Sequence, residues 1–125
     1  MTIQDVLTLV DELKPNQYEE ETLIRWISEA EALIYQEYVK WHEGVEELKR
    51  EPYDPLTDID AVLLVPDAYA QLYIHYLCAQ IDYFNGDMAR YQNSMIRYNT
   101  ALSAYADWFN RENKPVSPEL KVYGD

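Results

Sequence analysis

Residues 88–109 read Met88-Ala89-Arg90-Tyr91-Gln92-Asn93-Ser94-Met95-Ile96-Arg97-Tyr98-Asn99-Thr100-Ala101-Leu102-Ser103-Ala104-Tyr105-Ala106-Asp107-Trp108-Phe109. Within them Met88, Tyr91, Met95, Tyr98, Leu102, Tyr105 and Phe109 recur at spacings that alternate between 3 and 4. A helix turns once in about 3.6 residues, so these side chains share one face, and the pattern predicts one helix over 87–113. At about 1.5 Å per residue it spans roughly 40 Å. Just upstream, Tyr69, Leu72, Tyr73, Tyr76, Leu77 and Tyr83 mark a second helical face over 67–85, ended by Asn85-Gly86. Glycine past a helix end adopts left-handed backbone at no steric cost, and Asp87 suits the next N-terminus. The two helices are therefore expected to fold back as an antiparallel hairpin around which the chain is organised.

Working outward, Thr2 and Asp5 have the spacing of a capping box, and Ile3, Val6, Leu7, Val10 and Leu13 follow helical periodicity over 2–13. Lys14-Pro15-Asn16 closes that helix, because proline pushes the preceding residue out of the helical region. Asn16 or a near neighbour starts a second helix, with Glu19, Glu20 and Glu21 in its first turn, where carboxylates favour the helix dipole. Its buried stripe reads Leu23, Ile24, Ile27, Ala30, Ile34 and Tyr38, flanked by Trp26, Leu33 and Tyr35, and it runs to 39–42.

The segment 43–66 is irregular, since Pro52 and Pro55 interrupt any helix. Ala61-Val62-Leu63-Leu64-Val65 is too short for a helix and reads as an extended run, with Tyr53–Leu56 or another chain as pairing partner. The fold class expected is thus all-α: a small four-helix bundle on a C-terminal hairpin, with an irregular loop carrying at most one short strand. Residues 1–115 form the helical domain, and 116–125 lack periodicity and are expected to be a flexible tail that orders on a partner.

At 125 residues the chain has one domain's length and can bury a core without metal or disulfide. Its lone Cys78 fits a reducing, intracellular setting and a small-hydrophobe role. Neither a membrane span nor a secretory signal is visible, which reads as a soluble cytosolic product. The formal charge is −13, and it is uneven: residues through Asp67 carry 17 acids against 5 Lys/Arg, whereas the remainder carries 6 against 5. Such a field repels phosphate backbones, so it argues against direct nucleic-acid binding. It leaves two readings, a solvated surface and an acidic mimic of DNA.

Motifs for chemistry fail one by one. A di-metal bundle site needs Glu-x-x-His, but Val39 and Leu72 stand where the glutamates would precede His42 and His75. His42-Glu43 opens a zinc-protease pattern that lacks its second histidine. His75 and Cys78 share a helix face without a third group to orient them, so a packing role is the simpler reading. The three glycines form no phosphate cradle, and Ile81 spoils a calcium loop at Asp82–Asp87. No catalysis, cofactor or metal is expected. What stands out is the aromatic supply, with seven of the twelve tyrosines between Tyr69 and Tyr105. Tyrosine favours half-wet surfaces, so some of these rings are expected to line the core rim and others to face a neighbouring subunit.

Pro66-Asp67-Ala68-Tyr69, Leu72-Tyr73, Tyr76-Leu77, Ala79–Asp87 and Arg90–Ser94 together resemble a known group, as do Lys14–Tyr18, Arg25-Trp26-Ile27 and Ala106–Arg111. They are similar to the head–tail connector, or head-completion adaptor, proteins of long-tailed bacteriophages and prophages of Gram-positive hosts. The resemblance runs from Asp11 to Pro115 and is most specific over Ile81–Asn93. It departs at Gln92, where a second Asn is expected, and at Asp87, where Glu is common. It implies a structural virion protein at the head–tail interface, made in the host cytoplasm. Copies would assemble as a ring under the portal, extend the DNA channel without gripping DNA, and present a surface to a stopper or tail-completion protein. On that reading Trp108, Phe109, Arg111 and the tail residues Leu120 and Tyr123 would meet the portal, and Trp41, His42 and Tyr53 neighbouring copies. A generic acidic helical interaction module or assembly chaperone is the alternative, and an acidic DNA-mimic inhibitor a further one.

Overall fold

Thr2 begins the first helix as its spacing requires. Its hydroxyl accepts from the Asp5 N–H at 3.2 Å, and the Asp5 carboxylate accepts from the Thr2 N–H at 2.9 Å. These bonds, the backbone one foremost, hold the Asp5 carboxyl below its ordinary value. A computed structural model describes residues 1–37 and 52–112 of the chain. The expectations for Tyr38, Trp41, His42, Leu120, Tyr123 and the 116–125 tail lie outside those residues.

Helix α1 covers Ile3–Leu13 and buries Ile3, Val6, Leu7 and Val10. Leu13, expected on the same stripe, is instead 67% exposed. Helix α2 covers Glu20–Glu37. Asn16 does not start it. Its side chain accepts from the Tyr18 N–H at 3.0 Å and donates to the Lys14 carbonyl at 3.2 Å, making a local turn, and the Glu19 carbonyl receives the first helical bonds. Trp26 is a core residue rather than a flank, because its ring stacks on Phe84 at 5.5 Å with the planes 5° apart.

A 3-10 turn over Asp67–Tyr69 leads into helix α3, Gln71–Phe84, and helix α4 covers Met88–Glu112. The break between them is the one expected: Gly86 has φ +78°, and the Asp87 side chain accepts from the Arg90 N–H at 3.1 Å. α3 and α4 pack along their lengths as an antiparallel hairpin, and α3 also touches α1 and α2. α3 is therefore the central element. It buries Leu72, Tyr73, Ile74, Leu77, Cys78, Ala79, Ile81 and Asp82, more than one face, whereas Tyr83 points outward. On α4 the seam is buried from Tyr98 through Tyr105 to Phe109 and opens toward Met88.

The run 61–65 is extended, but its partner is not Tyr53–Leu56. Val62 forms a single antiparallel bridge with Thr2, and the Leu63 N–H donates to the Met1 carbonyl at 2.9 Å. In return the carbonyls of Ala61 and Ile59 accept from the Ile3 and Gln4 N–H groups. The first turn of any helix has donors without intrahelical acceptors, and this segment supplies them. Leu63 and Val65 point into the core while Val62 faces out, the alternation of extended chain. No strand is present among the described residues, and the architecture is an all-α bundle.

Candidate interaction surface

Two buried carboxylates fix the helices that any surface must be built on. Glu31 sits on α2 between Ile27 and Ile34 and is 2% exposed. Its carboxylate accepts from the Leu64 N–H at 2.6 Å and from the hydroxyls of Tyr53 and Tyr73. The Tyr73 oxygen in turn accepts from the Val65 N–H at 3.1 Å. Four donors around one carboxylate and its phenol offset the cost of burying the charge, and they pin the 53–65 segment to α2 and α3. Burial, then the neighbouring charge of Glu31, pushes the Tyr73 phenol far above its ordinary value.

Asp82 on α3 is the second. It accepts from the Lys14 ammonium at 2.6 Å and from the Ser94 hydroxyl at 2.9 Å, tying the end of α1 and the second turn of α4 to α3. Ser94, which is not one of the seam positions of α4, is buried with its hydroxyl on Asp82. Lys14 keeps about a quarter of its side chain in solvent, with 23% exposed.

The tyrosine supply divides much as its chemistry suggests. Tyr18 donates to the Asn85 side chain at 2.8 Å, Tyr76 accepts from Gln80 at 2.9 Å, and Tyr98 and Tyr105 are buried. Among the described residues, the exposed aromatic rings are gathered at the hairpin turn. Tyr83, Phe84 and Met88 are 49%, 58% and 46% exposed, and the Tyr83 ring packs edge-on against Phe84 and tilted against Tyr91. This aromatic knob rests on Trp26 beneath it.

The residues singled out from the sequence fall into two places. Trp108 and Phe109 join Tyr69 and Tyr105 in one aromatic cluster near the end of α4, with Phe109 buried and Trp108 half-buried. Arg111 is exposed in the last turn, where a cation suits the helix dipole. Tyr53 belongs to the Glu31 network, so its hydroxyl is turned into the protein, and its ring is half-buried. Sequence reasoning missed Glu31, Asp82 and Lys14. The available signal for Glu31 was its register, since 24, 27, 31 and 34 is a buried stripe with a carboxylate in it.

For chemistry the arrangement offers little activation. Burial raises the Cys78 thiol and lowers the His75 imidazole, the latter helped by the charge of Arg97, so the pair is held in its neutral forms. No group of three metal-ligating side chains occurs among the described residues, and none of their helices is long and apolar enough to cross a membrane. Set against protein-family models, curated proteins and solved structures, the chain has no significant match in any of the three.

Proposed function

We propose that this chain is a structural, non-enzymatic head–tail connector of a tailed bacteriophage, located in the virion at the head–tail interface. Copies form a ring under the portal and pass DNA without binding it specifically. One observation carries the reading. The Ile81–Asn93 block, where the resemblance is most specific, builds the hairpin turn: the Asp82 carbonyl accepts from the Asp87 N–H at 2.9 Å, Gly86 has positive φ, and Asp87 caps α4. A sequence likeness centred on this turn agrees with a rigid helical hairpin used as a building block. The acidic balance agrees as well, since a net −13 protein offers passing phosphates little to hold.

In this reading the end of α4 faces the portal through half-buried Trp108 and exposed Arg111. The test is light scattering of purified portal rings titrated with the full chain. Rings that gain mass to saturation support the connector. Rings that stay unchanged at every concentration remove it.

The exposed knob of Tyr83, Phe84 and Met88 favours a second reading, a generic acidic helical interaction module or assembly chaperone. That protein would bind a capsid or tail component before assembly and ignore the finished portal ring.

A further inference from the structure

Arg90, Asn93, Ser94 and Arg97 stand at i, i+3, i+4 and i+7 on α4, one face of the helix. With Leu13, Lys14 and Pro15 they line a cleft of about 390 Å³. Three of the chain's ten Lys/Arg thus meet in one cleft of a protein whose net charge is −13. Two of the three are already engaged, Lys14 by Asp82 at 2.6 Å and Arg90 by Asp87 at 3.4 Å. Arg97 is exposed and has no ion pair among the described residues. The cleft therefore keeps one positive charge uncompensated, presented by a guanidinium whose fork matches a carboxylate.

We propose that this cleft is a socket for a carboxylate side chain of a second copy of this chain, with Arg97 as its principal partner. The proposal rests on the ring assembly above and names a contact within it. A surplus of one charge suits a single carboxylate better than a phosphate dianion. A nucleic-acid strand would run past the socket into the acidic remainder of the surface, where it is repelled. Leu13, 67% exposed at the rim beside Pro15, gives an incoming protein segment an apolar contact that a free anion would not use. Each copy also carries the complement: Glu19, Glu20 and Glu21 are consecutive and exposed at the start of α2. A socket on one patch and its ligand on another make a heterologous contact, the kind that closes into rings.

The experiment is sedimentation of the full chain over increasing concentration, with Arg97→Glu and the pair Glu20→Lys/Glu21→Lys. Wild type self-associates, and each variant alone associates about tenfold or more weakly. Mixing the two variants restores association, because each then supplies what the other lacks. All substituted side chains are exposed, and circular dichroism melts confirm that the variants fold. Wild type that stays monomeric up to about 1 mM overturns the proposal. So does Arg97→Glu that associates like wild type, or a mixture that recovers nothing. Inorganic phosphate or duplex DNA perturbing Arg97 more tightly than a Glu-rich peptide also overturns it. Portal binding, measured separately, distinguishes the two ideas: wild type that self-associates through the cleft but ignores the portal retains the socket and removes the connector.

Discussion

Glu31 on α2 and Tyr73 on α3, 2% and 0% exposed, meet as carboxylate and phenol across the interface that the two helices bury. The phenol does two jobs there, donating to Glu31 and accepting from the Val65 N–H. Removing either partner leaves donors without acceptors in a dry place. Tyr73→Phe should cost about 1–2 kcal/mol and Glu31→Ala about 3 kcal/mol, since the second takes the acceptor from the buried Tyr73 hydroxyl and from the Leu64 N–H. Urea unfolding measures both. The double variant should cost less than the two together, because the members act as one network.

Asp82 makes a parallel prediction at the other end of α3. Lys14→Met leaves a carboxylate that is 4% exposed without its cation, and should destabilise by about 2–3 kcal/mol. Combining it with Asp82→Leu should recover part of that loss, because the charge is then no longer buried. Thermal melts of the two single variants and the double variant test the order.

Gly86 separates backbone strain from crowding. A Cβ added there meets nothing within 4 Å, yet φ is +78°. Gly86→Ala should therefore cost about 1 kcal/mol with unchanged packing, and Gly86→Asn less, since asparagine tolerates that region. A spectrum showing rearranged helices in Gly86→Ala would contradict this account.

His75 sets a pH dependence. Its folded value lies below the ordinary 6.5, through burial first and Arg97 second. The unfolded chain then takes up a proton at higher pH than the fold does. Its contribution is intact above about 6.5 and is lost as pH falls from there toward the folded-state value. His75→Gln should flatten that part of the stability curve, while Arg97→Gln should raise the imidazole value seen by NMR.

The helices were legible because their signals are local. The capping box at Thr2, the glycine at 86 and the 3–4 seam of α4 each lie within a few residues of what they decide. Legibility failed where a residue's role is settled by a distant partner. Nothing near Val62 says that it will meet Thr2, and nothing near Ser94 says that Asp82 will pull it inside. The surplus of tyrosines suggested neighbours, yet several have their hydroxyls satisfied within the chain, by Asn85, Gln80 and Glu31. Arg90, Asn93 and Arg97 were readable as one face, but only the fold brings Lys14 beside them.

The bridge from Thr2 to Val62 joins positions far apart in the chain, whereas α3 and α4 close over a three-residue turn. Long loops are slower to close than short ones, so the hairpin should consolidate early and the 53–65 strap should dock last and detach first. Amide exchange checks this: Leu63 and Leu64 should exchange faster than Leu77 or Ile81, through openings that leave the hairpin whole. The molecule then has a detachable clasp over a permanent frame, and whatever recognises the frame alone would find it the same with the clasp open or shut.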